Sequence, residues 1–434
     1  MTEALRIGLA GLGTVGGGVV RLLDANRDLI ARRAGRSIEI VAVSARDRTK
    51  DRGVDLSRFD WVDDTTAMPD RADVDVVVEL IGGSDGPALT LARRTLLAGK
   101  GFVTANKAMI AHHGMELATA AETGRAPLAF EAAVAGGIPV IKGLRDGAAA
   151  NEIARVYGIL NGTCNFILSK MEAPADKGGG HDFAEVLNEA QALGYAEADP
   201  GFDIDGVDAA HKLAILASVA FGTRPAFADV VSSGIRHIMA ADVAEAASLG
   251  YRIRLLGIAE AGPYGLFQRV HPHLVPIDHP LAHVTGSLNA VVAEGNFVGR
   301  LLFQGAGAGD GPTASAVVAD LIDIARGEYG PAFAMPVAAL TAMPRADTGD
   351  RRGRAYLRFA VADRVGVLAE IAAAMRDAGV SIESLIQRGV MTDGQVLIAI
   401  VTHEGPERCV AQALEKLRGS PSVVGQPLWM HILG

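Results

Sequence analysis

Asp208 and Lys212 stand four residues apart in Gly206-Val-Asp-Ala-Ala-His-Lys212, a spacing that puts a carboxylate and an amine on one face of a helix. An amine held by a carboxylate can give a proton to an oxygen that gains negative charge, or take one in the opposite direction. A solvated surface ion pair has the same spacing and is common. Here, however, the helix runs on as Leu213-Ala-Ile-Leu-Ala217, an apolar stretch that predicts burial, and Glu197, Asp203 and Asp208 gather acid around the lysine. Such a cluster is costly unless its charges are matched, and a substrate ammonium group would match them.

A second group of residues lies near the start of the chain. The run Gly8-Leu-Ala-Gly11-Leu-Gly13-Thr14-Val15-Gly16 follows an apolar strand-like stretch and opens a helix-like one, which gives G-x-G-x-x-G in the context that cradles a dinucleotide. Gly11 permits the tight turn, Gly13 lets a pyrophosphate approach the backbone, and Gly16 brings helix and strand close. The free N–H groups of the helix start, Thr14 and Val15 included, attract the anion. Beyond the second strand, where an acidic side chain would hold the ribose 2′-hydroxyl of NAD, come Arg46, Arg48 and Lys50. Cations there suit the 2′-phosphate of NADP, with Asp47 keeping NAD as the alternative.

These residues need elements to carry them. Short β-rich runs at Leu5 to Ala10, Ile38 to Val43, Val74 to Leu80 and Gly101 to Thr104 alternate with helix-like ones such as Val15 to Ile30, the pattern of a parallel sheet covered by helices. From about Asn151 the pattern changes: Glu152 to Leu160, Tyr251 to Glu260 and Gly265 to Val270 read as strands without a crossover helix between each pair, which points to an α+β unit with an open sheet. Lys177 to His181 has the glycine content of a surface loop, and Gly305 to Gly311 leads into a helix-like Thr313 to Arg326 that returns to the first unit. Met343 to Arg354 is polar, charged and Gly-containing, the composition of a connection. After it, strands at Tyr356 to Val361, Val380 to Leu385 and Gln395 to Val401 interleave with helices at Leu368 to Ala378 and Glu407 to Leu417.

Several of these segments together resemble homoserine dehydrogenase: the glycine fingerprint, Val78 to Gly83 (VELIGG), Thr104 to Lys107 (TANK), Asn161 to Thr163, the Gly194 to Lys212 block and Gly305 to Gly309. The Gly194 to Lys212 block is the most specific of them. The resemblance implies a Rossmann-type dinucleotide-binding domain over residues 1–142, completed by about 305–342. It also implies an α+β catalytic domain with an open sheet over 143–304, which binds substrate and dimerises. The activity implied is reversible, NAD(P)-dependent interconversion of aspartate semialdehyde and homoserine in threonine, methionine and isoleucine biosynthesis. Glu197, Asp203 and Asp208 would bind the amino-acid end or reacting oxygen, with Gly162 and Thr163 adding contacts. Lys212 would donate the proton, oriented by Asp208, and Lys107 would stand near nicotinamide and substrate. Gly82, Gly83, Thr104, Lys107 and Gly309 would add dinucleotide contacts.

Phe130 to Ile138 (FEAAVAGGI) resembles that family's monovalent-cation loop, with Glu131, Val134, Gly136 and Ile138 as the matching positions for sodium or potassium. A glycine-rich turn satisfied by water would look the same. His271, His273, His279 and His283 are read as surface or packing residues rather than zinc ligands, because Pro272 and Pro280 are expected to interrupt regular structure and no cysteine is near. After a linker at 343–353, residues 354–434 resemble an ACT domain, a βαββαβ module that binds amino acids at paired interfaces. Gly366 would supply its tight strand-to-helix turn. Val365 stands where that family often has proline. The effector implied is threonine, although a ligand-free dimerisation module would read alike.

The bulk properties agree with this reading. A chain of 434 residues exceeds one core, and 49% hydrophobic residues supply several. Cys164 and Cys409 are the two cysteines, which argues against a disulfide framework and for a reducing, cytoplasmic compartment. No leader and no membrane-spanning run is expected. A net charge of −9 disfavours nucleic acid and anionic lipid as partners, so the expected partners are a small substrate, an amino-acid effector and further copies of the chain in a homodimer or homotetramer. A different semialdehyde or imine reductase is the competing enzyme, but the semialdehyde type that needs a nucleophilic cysteine finds no case for activating Cys164. A catalytically silent dinucleotide sensor is the competing non-enzyme.

Overall fold

A computed structural model describes residues 3–173, 180–390 and 395–434. The apolar run Leu5–Ala10 becomes strand β1, buried except for Arg6. Around it β2 (Ile38–Ser44), β3 (Asp60–Trp61), β4 (Val76–Glu79), β5 (Gly101–Thr104) and β6 (Leu128–Ala129) pair in parallel in the order β3-β2-β1-β4-β5-β6. The order reverses between β1 and β4, which opens a crevice at the carboxyl ends of the strands. Helices α1 (Thr14–Ala25), α2 (Arg27–Ala34), α3 (Pro87–Leu97) and α4 (Lys107–Gly124) connect them. The single helix expected over Val15 to Ile30 is interrupted: Asn26 leaves helical geometry at φ −113° and separates α1 from α2. After β6 come a short α5 (Val140–Lys142) and a π-helical turn at Gly143–Gly147.

The second sheet begins with β7 (Ile153–Ile159). With β9 (Tyr251–Gly262), β10 (Gly265–Pro276), β11 (Leu288–Gly295) and β12 (Gly299–Ala306) it runs β12-β11-β7-β9-β10, and a short β8 (Val231–Ser232) pairs with β10. Helices α6 (Gly162–Glu172), α7 (Phe183–Ala192), α8 (Gly201–Ile204), α9 (Val207–Phe221) and α10 (Ala240–Ser248) accompany it. As the apolar sequence predicts, α9 is buried from Asp208 to Val219. Pro272, expected to interrupt regular structure, instead sits inside β10 opposite Leu255. A residue without an N–H is tolerated there because the other edge of β10 lacks a partner at that point: pairing with β8 stops at Val270 and the next neighbour begins at His273. Pro280 starts a 3-10 turn, Pro280–His283. Of the glycine-rich tract at 177–181, residues 177–179 lie outside the described residues.

Helix α11 (Asp310–Arg326) returns to the first sheet, where Ala314, Val317 and Leu321 share a core with Leu9, Val19 and Val20. Gly18 makes this approach possible, since a Cβ there would lie 2.7 Å from the Asp310 carbonyl oxygen. The polar stretch before the last unit is fastened rather than loose: Leu266 N donates to Pro344 O at 2.8 Å and Ala346 N to Leu266 O at 3.0 Å.

The last unit, β13 (Arg352–Ala362), α12 (Val367–Asp377), β14 (Ile382–Val390), β15 (Gln395–Thr402), β16 (Gly405–Pro406), α13 (Glu407–Leu417) and β17 (Val423–Ile432), has its own core around Leu357, Phe359, Ile371, Met375, Ile398 and Val410. Its sheet, β17-β13-β15-β14, is not separate from the one before it. β17 pairs in parallel with β10 at His273↔His431 and Leu274↔Ile432. Beside that junction Arg269 of β10 grips Glu407 of α13 through its two terminal guanidinium nitrogens, at 2.9 and 2.6 Å, with 7% of each side chain exposed. The rings of His271, His273 and His431 pack together there, and burial pushes all three imidazoles below their ordinary value, His271 to about 4. No described helix is long and apolar enough to cross a membrane.

Candidate active site

The fingerprint glycines sit where their separate demands predict. Gly11 has φ +104°, and a Cβ there would lie 2.5 Å from Leu80 O. A Cβ on Gly16 would lie 2.1 Å from Gly11 O, so the helix can start this close to the turn only on glycine. Gly13 caps α1 and meets nothing within 4 Å on its Cβ side, leaving an open cradle flanked by Thr14 and Val15. Arg46 and Lys50 are exposed beyond β2. Arg52, a further cation beyond Lys50, donates to Leu12 O at 3.1 Å and so ties that basic segment to the glycine turn.

Glu79 organises the opposite lip of the crevice. It is fully buried; one carboxylate oxygen accepts from Ile81 N at 2.6 Å and Gly82 N at 3.0 Å, and the other accepts the Thr104 hydroxyl at 2.6 Å. Gly82 and Gly83 take positive φ to make this turn. Thr104 was expected to face a dinucleotide, but its hydroxyl is spent on Glu79 and on Asn106 N, so its side chain supports the loop from beneath. An acid inside the apolar run Val76 to Leu80 was the overlooked signal for Glu79. Gly309, at φ +117°, caps α11 on the far side.

The chemical residues converge where α4 and α9 pack together. Lys107 is the first residue of α4, and its Nζ lies 3.2 Å from Asp208 Oδ1; Lys212 Nζ lies 2.7 Å from Asp208 Oδ2. One carboxylate thus bridges two amines presented by different helices. Asn161, the cap of α6, draws in a second acid: its Nδ2 donates to Asp208 Oδ2 and to Asp203 Oδ1, each at 2.9 Å. Thr163 Oγ1 stands 3.1 Å from Asp203 Oδ2 and 2.8 Å from Tyr195 O, next to Gly162 at the start of α6. Burial pushes the Asp208 carboxyl up, but Lys212, Lys107 and the Asn161 amide outweigh it and hold the group well below the ordinary carboxylate range. Asp203 moves the other way, raised by burial and by the neighbouring Asp208 charge.

Glu197 is not part of this cluster. It is exposed in the connection between α7 and α8, where its carbonyl accepts from Gln191 Nε2 at 2.9 Å. Of the three acids expected around the lysine the fold brings in two, joined through the amide of Asn161. A cleft of about 530 Å³ leads from Gly82 and Gly83 past Asn106 and Lys107 to Phe202 and His211. His211 Nε2 meets His112 Nε2 at 3.1 Å, and burial and that neighbour push its imidazole down to about 4.

The glycine loop after β6 buries an acid. Glu131 is 2% exposed, and burial and the nearby Asp320 raise its carboxyl to about 7. Its two oxygens accept from Ile141 N at 2.9 Å and Lys142 N at 2.8 Å, while Glu131 N donates to Asp320 at 3.0 Å. Lys142 Nζ stands 3.2 Å from Asp320. Lys142 also pairs with Asp323 at 2.5 Å, so Glu131, Asp320 and Asp323 share that amine and the nearby Arg145 guanidinium, and an ionised Glu131 is short of positive charge. Ala135 and Gly136, at φ +56° and +53°, bend the backbone between Val134 and Ile138, a turn through which carbonyls can converge. This donor set of hard oxygens fits a monovalent cation.

Three family patterns match the chain: the homoserine dehydrogenase NAD-binding domain over residues 11–131, homoserine dehydrogenase over 139–322, and the ACT domain over 355–419. Homoserine dehydrogenase of Pseudomonas aeruginosa is 45% identical over 98% of this chain and 97% of its own. The crystal structure of a homoserine dehydrogenase from Thiobacillus denitrificans superposes with a TM-score of 0.92 at 42% identity, covering 99% of this chain and 98% of that one. A hyperthermophilic archaeal homoserine dehydrogenase in complex with NADPH matches with a TM-score of 0.64 at 26% identity, over 76% of this chain and 99% of that one.

Proposed function

The chain belongs to the homoserine dehydrogenase family, an oxidoreductase acting on a CH–OH group with a nicotinamide cofactor, and on that premise we propose how its own residues perform the reaction. The carrying observation is the Asp208 carboxylate set between Lys107, which lines the cleft, and the buried Lys212. The substrates are L-aspartate 4-semialdehyde in one direction and L-homoserine in the other. When bound, the nicotinamide ring supplies or accepts the hydride. As the aldehyde is reduced, Lys212 gives an ammonium proton to the developing alkoxide; in the reverse direction its neutral amine takes the hydroxyl proton. Asp208 aims that amine, Asp203 faces the substrate ammonium with Gly162 and Thr163 alongside, and Lys107 holds the cofactor end.

Gly11, Gly13, Thr14, Val15 and Gly16 would cradle the pyrophosphate, with Gly82, Gly83, Gly309 and the backbone of Thr104 closing around it. Arg46 and Lys50 favour the 2′-phosphate of NADP over NAD. The uncovered outer edge of β12, with Phe297, Val298 and Leu302 exposed beside it, supports assembly into a homodimer or homotetramer. The C-terminal unit, whose Gly366 turns at φ +98° into α12, supports feedback control by threonine. Following nicotinamide absorbance with L-homoserine tests all of this together. The expected result is turnover with both cofactors, a higher kcat/KM with NADP, and inhibition by threonine. No turnover of homoserine would overturn the reading, and threonine without binding or kinetic effect would remove the control.

Glu131, Val134, Gly136 and Ile138 would hold a sodium or potassium ion, which supplies charge that the buried carboxylate lacks. Because the folded Glu131 carboxyl is raised to about 7, above an unfolded value of about 4.3, its contribution to stability is full below the unfolded value and is lost as pH rises through 7. A bound cation therefore stabilises most on the alkaline side. Sodium or potassium chloride should raise the unfolding temperature more than choline chloride of equal ionic strength, and the difference should be larger at about pH 8 than at about pH 6. Equal effects at both pH values would count against the site.

A further inference from the structure

The Leu160 backbone carbonyl accepts two side chains at once, Lys212 Nζ at 2.9 Å and Asn289 Nδ2 at 3.1 Å. Leu160 lies just past the end of β7, whose ladder with β11 stops at Ala290↔Ile159. No strand neighbour orients that carbonyl, and Asn289, one residue beyond the last pair on β11, takes the neighbour's place. The asparagine is 1% exposed, and its Oδ1 has no donor among the described residues. A buried amide left half-paired is unfavourable, and leucine, close in shape, would pack there without that penalty. Its place is also tightly bounded. A Cβ on Gly307 would fall 2.1 Å from Asn289 Cγ, and one on Gly162 would fall 3.6 Å from its Oδ1.

We infer that Asn289 is a positioning residue for proton transfer: it fixes the Leu160 carbonyl so that this oxygen and Asp208 together aim the Lys212 ammonium at the substrate oxygen. An ammonium group has three N–H bonds. Leu160 O and Asp208 take two, and the remaining one points at the substrate oxygen only while both acceptors hold still. The inference rests on Lys212 being the proton donor.

Asn289→Leu is the decisive variant, compared in the holoenzyme with Lys212→Ala. It should lower kcat for homoserine oxidation about tenfold to a hundredfold, leave KM for homoserine and the dinucleotide dissociation constant near wild type, and not lower the unfolding temperature. Wild-type kcat would overturn the inference. So would a fall in kcat matched by lost dinucleotide binding and stability, because that marks a merely structural role. Asn289→Ala, which cannot clash with Gly307, carries the same reading should the leucine variant fail to fold. Near-wild-type turnover in Lys212→Ala would remove the premise instead, whereas an inactive Lys212→Ala beside a fully active Asn289→Leu leaves the premise and overturns the role of Asn289.

Discussion

Lys212→Ala should lower kcat for homoserine oxidation by about 10²- to 10⁴-fold, the range that one positioned general acid or base supplies. The dinucleotide dissociation constant should stay within about twofold of wild type. The separation follows from where the residues sit: the cradle at Gly11 to Gly16 belongs to the parallel sheet, whereas Lys212 lies inside α9, 9% exposed, with its amine on Leu160 O and Asp208. Truncation removes the amine and leaves Asp208 still paired with Lys107 and Asn161, so the protein should remain folded. Stopped-flow or steady-state assays with either cofactor, beside cofactor titration by fluorescence, read both quantities. Turnover close to wild type would take Lys212 out of the chemistry. Joint loss of turnover and cofactor binding would mean that the residue supports the fold instead.

Asp208→Asn should be damaging in a different way. The wild-type carboxylate neutralises one deeply buried amine and one that is about a third exposed. Without it two ammonium groups face each other across a neutral amide. Removing one partner of a buried pair costs about 3–5 kcal/mol, and the partial exposure of Lys107 places this case near the lower end. Since the native carboxyl is held below its ordinary range, its stabilising contribution is present above the unfolded value of about 3.9 and is lost as pH falls through the native one. The gap between variant and wild type should therefore persist across neutral pH and narrow only in strong acid, as read from urea midpoints. Turnover should fall with it, because the amine loses the acceptor that orients it. A variant as stable as wild type at neutral pH would show that Asp208 is not the counter-ion its geometry makes it.

Much of this architecture is legible in the sequence. Local features carried it: the fingerprint glycines each answer a steric demand within a few residues, and the apolar run after Lys212 announced a buried helix carrying a charged pair. The strand ends at Ala10 and Thr104 and the helix from Glu407 to Leu417 fall where the patterns placed them. What escaped depends on residues distant in sequence. Nothing near Asn161 says that its amide will join Asp203 to Asp208. Glu197 reads like its acidic neighbours, yet sits on a connection that no packing draws inward. Pro272 reads as a breaker, and its place in a strand depends on which neighbours β10 acquires. Asn26 interrupts a helix that local propensity alone would continue. The fusion of two sheets through β10 and β17 links segments about 160 residues apart, which no window of periodicity can register.

That fusion bears on how any signal from the C-terminal unit must travel. A module on a tether can swing as a body, but this one is stitched to its neighbour by backbone bonds and by the sealed Arg269 and Glu407 clasp. Rotation as a hinge would tear both. Any effector bound there would have to act through the shared sheet, whose strand β10 packs directly against α9, the helix that carries Lys212.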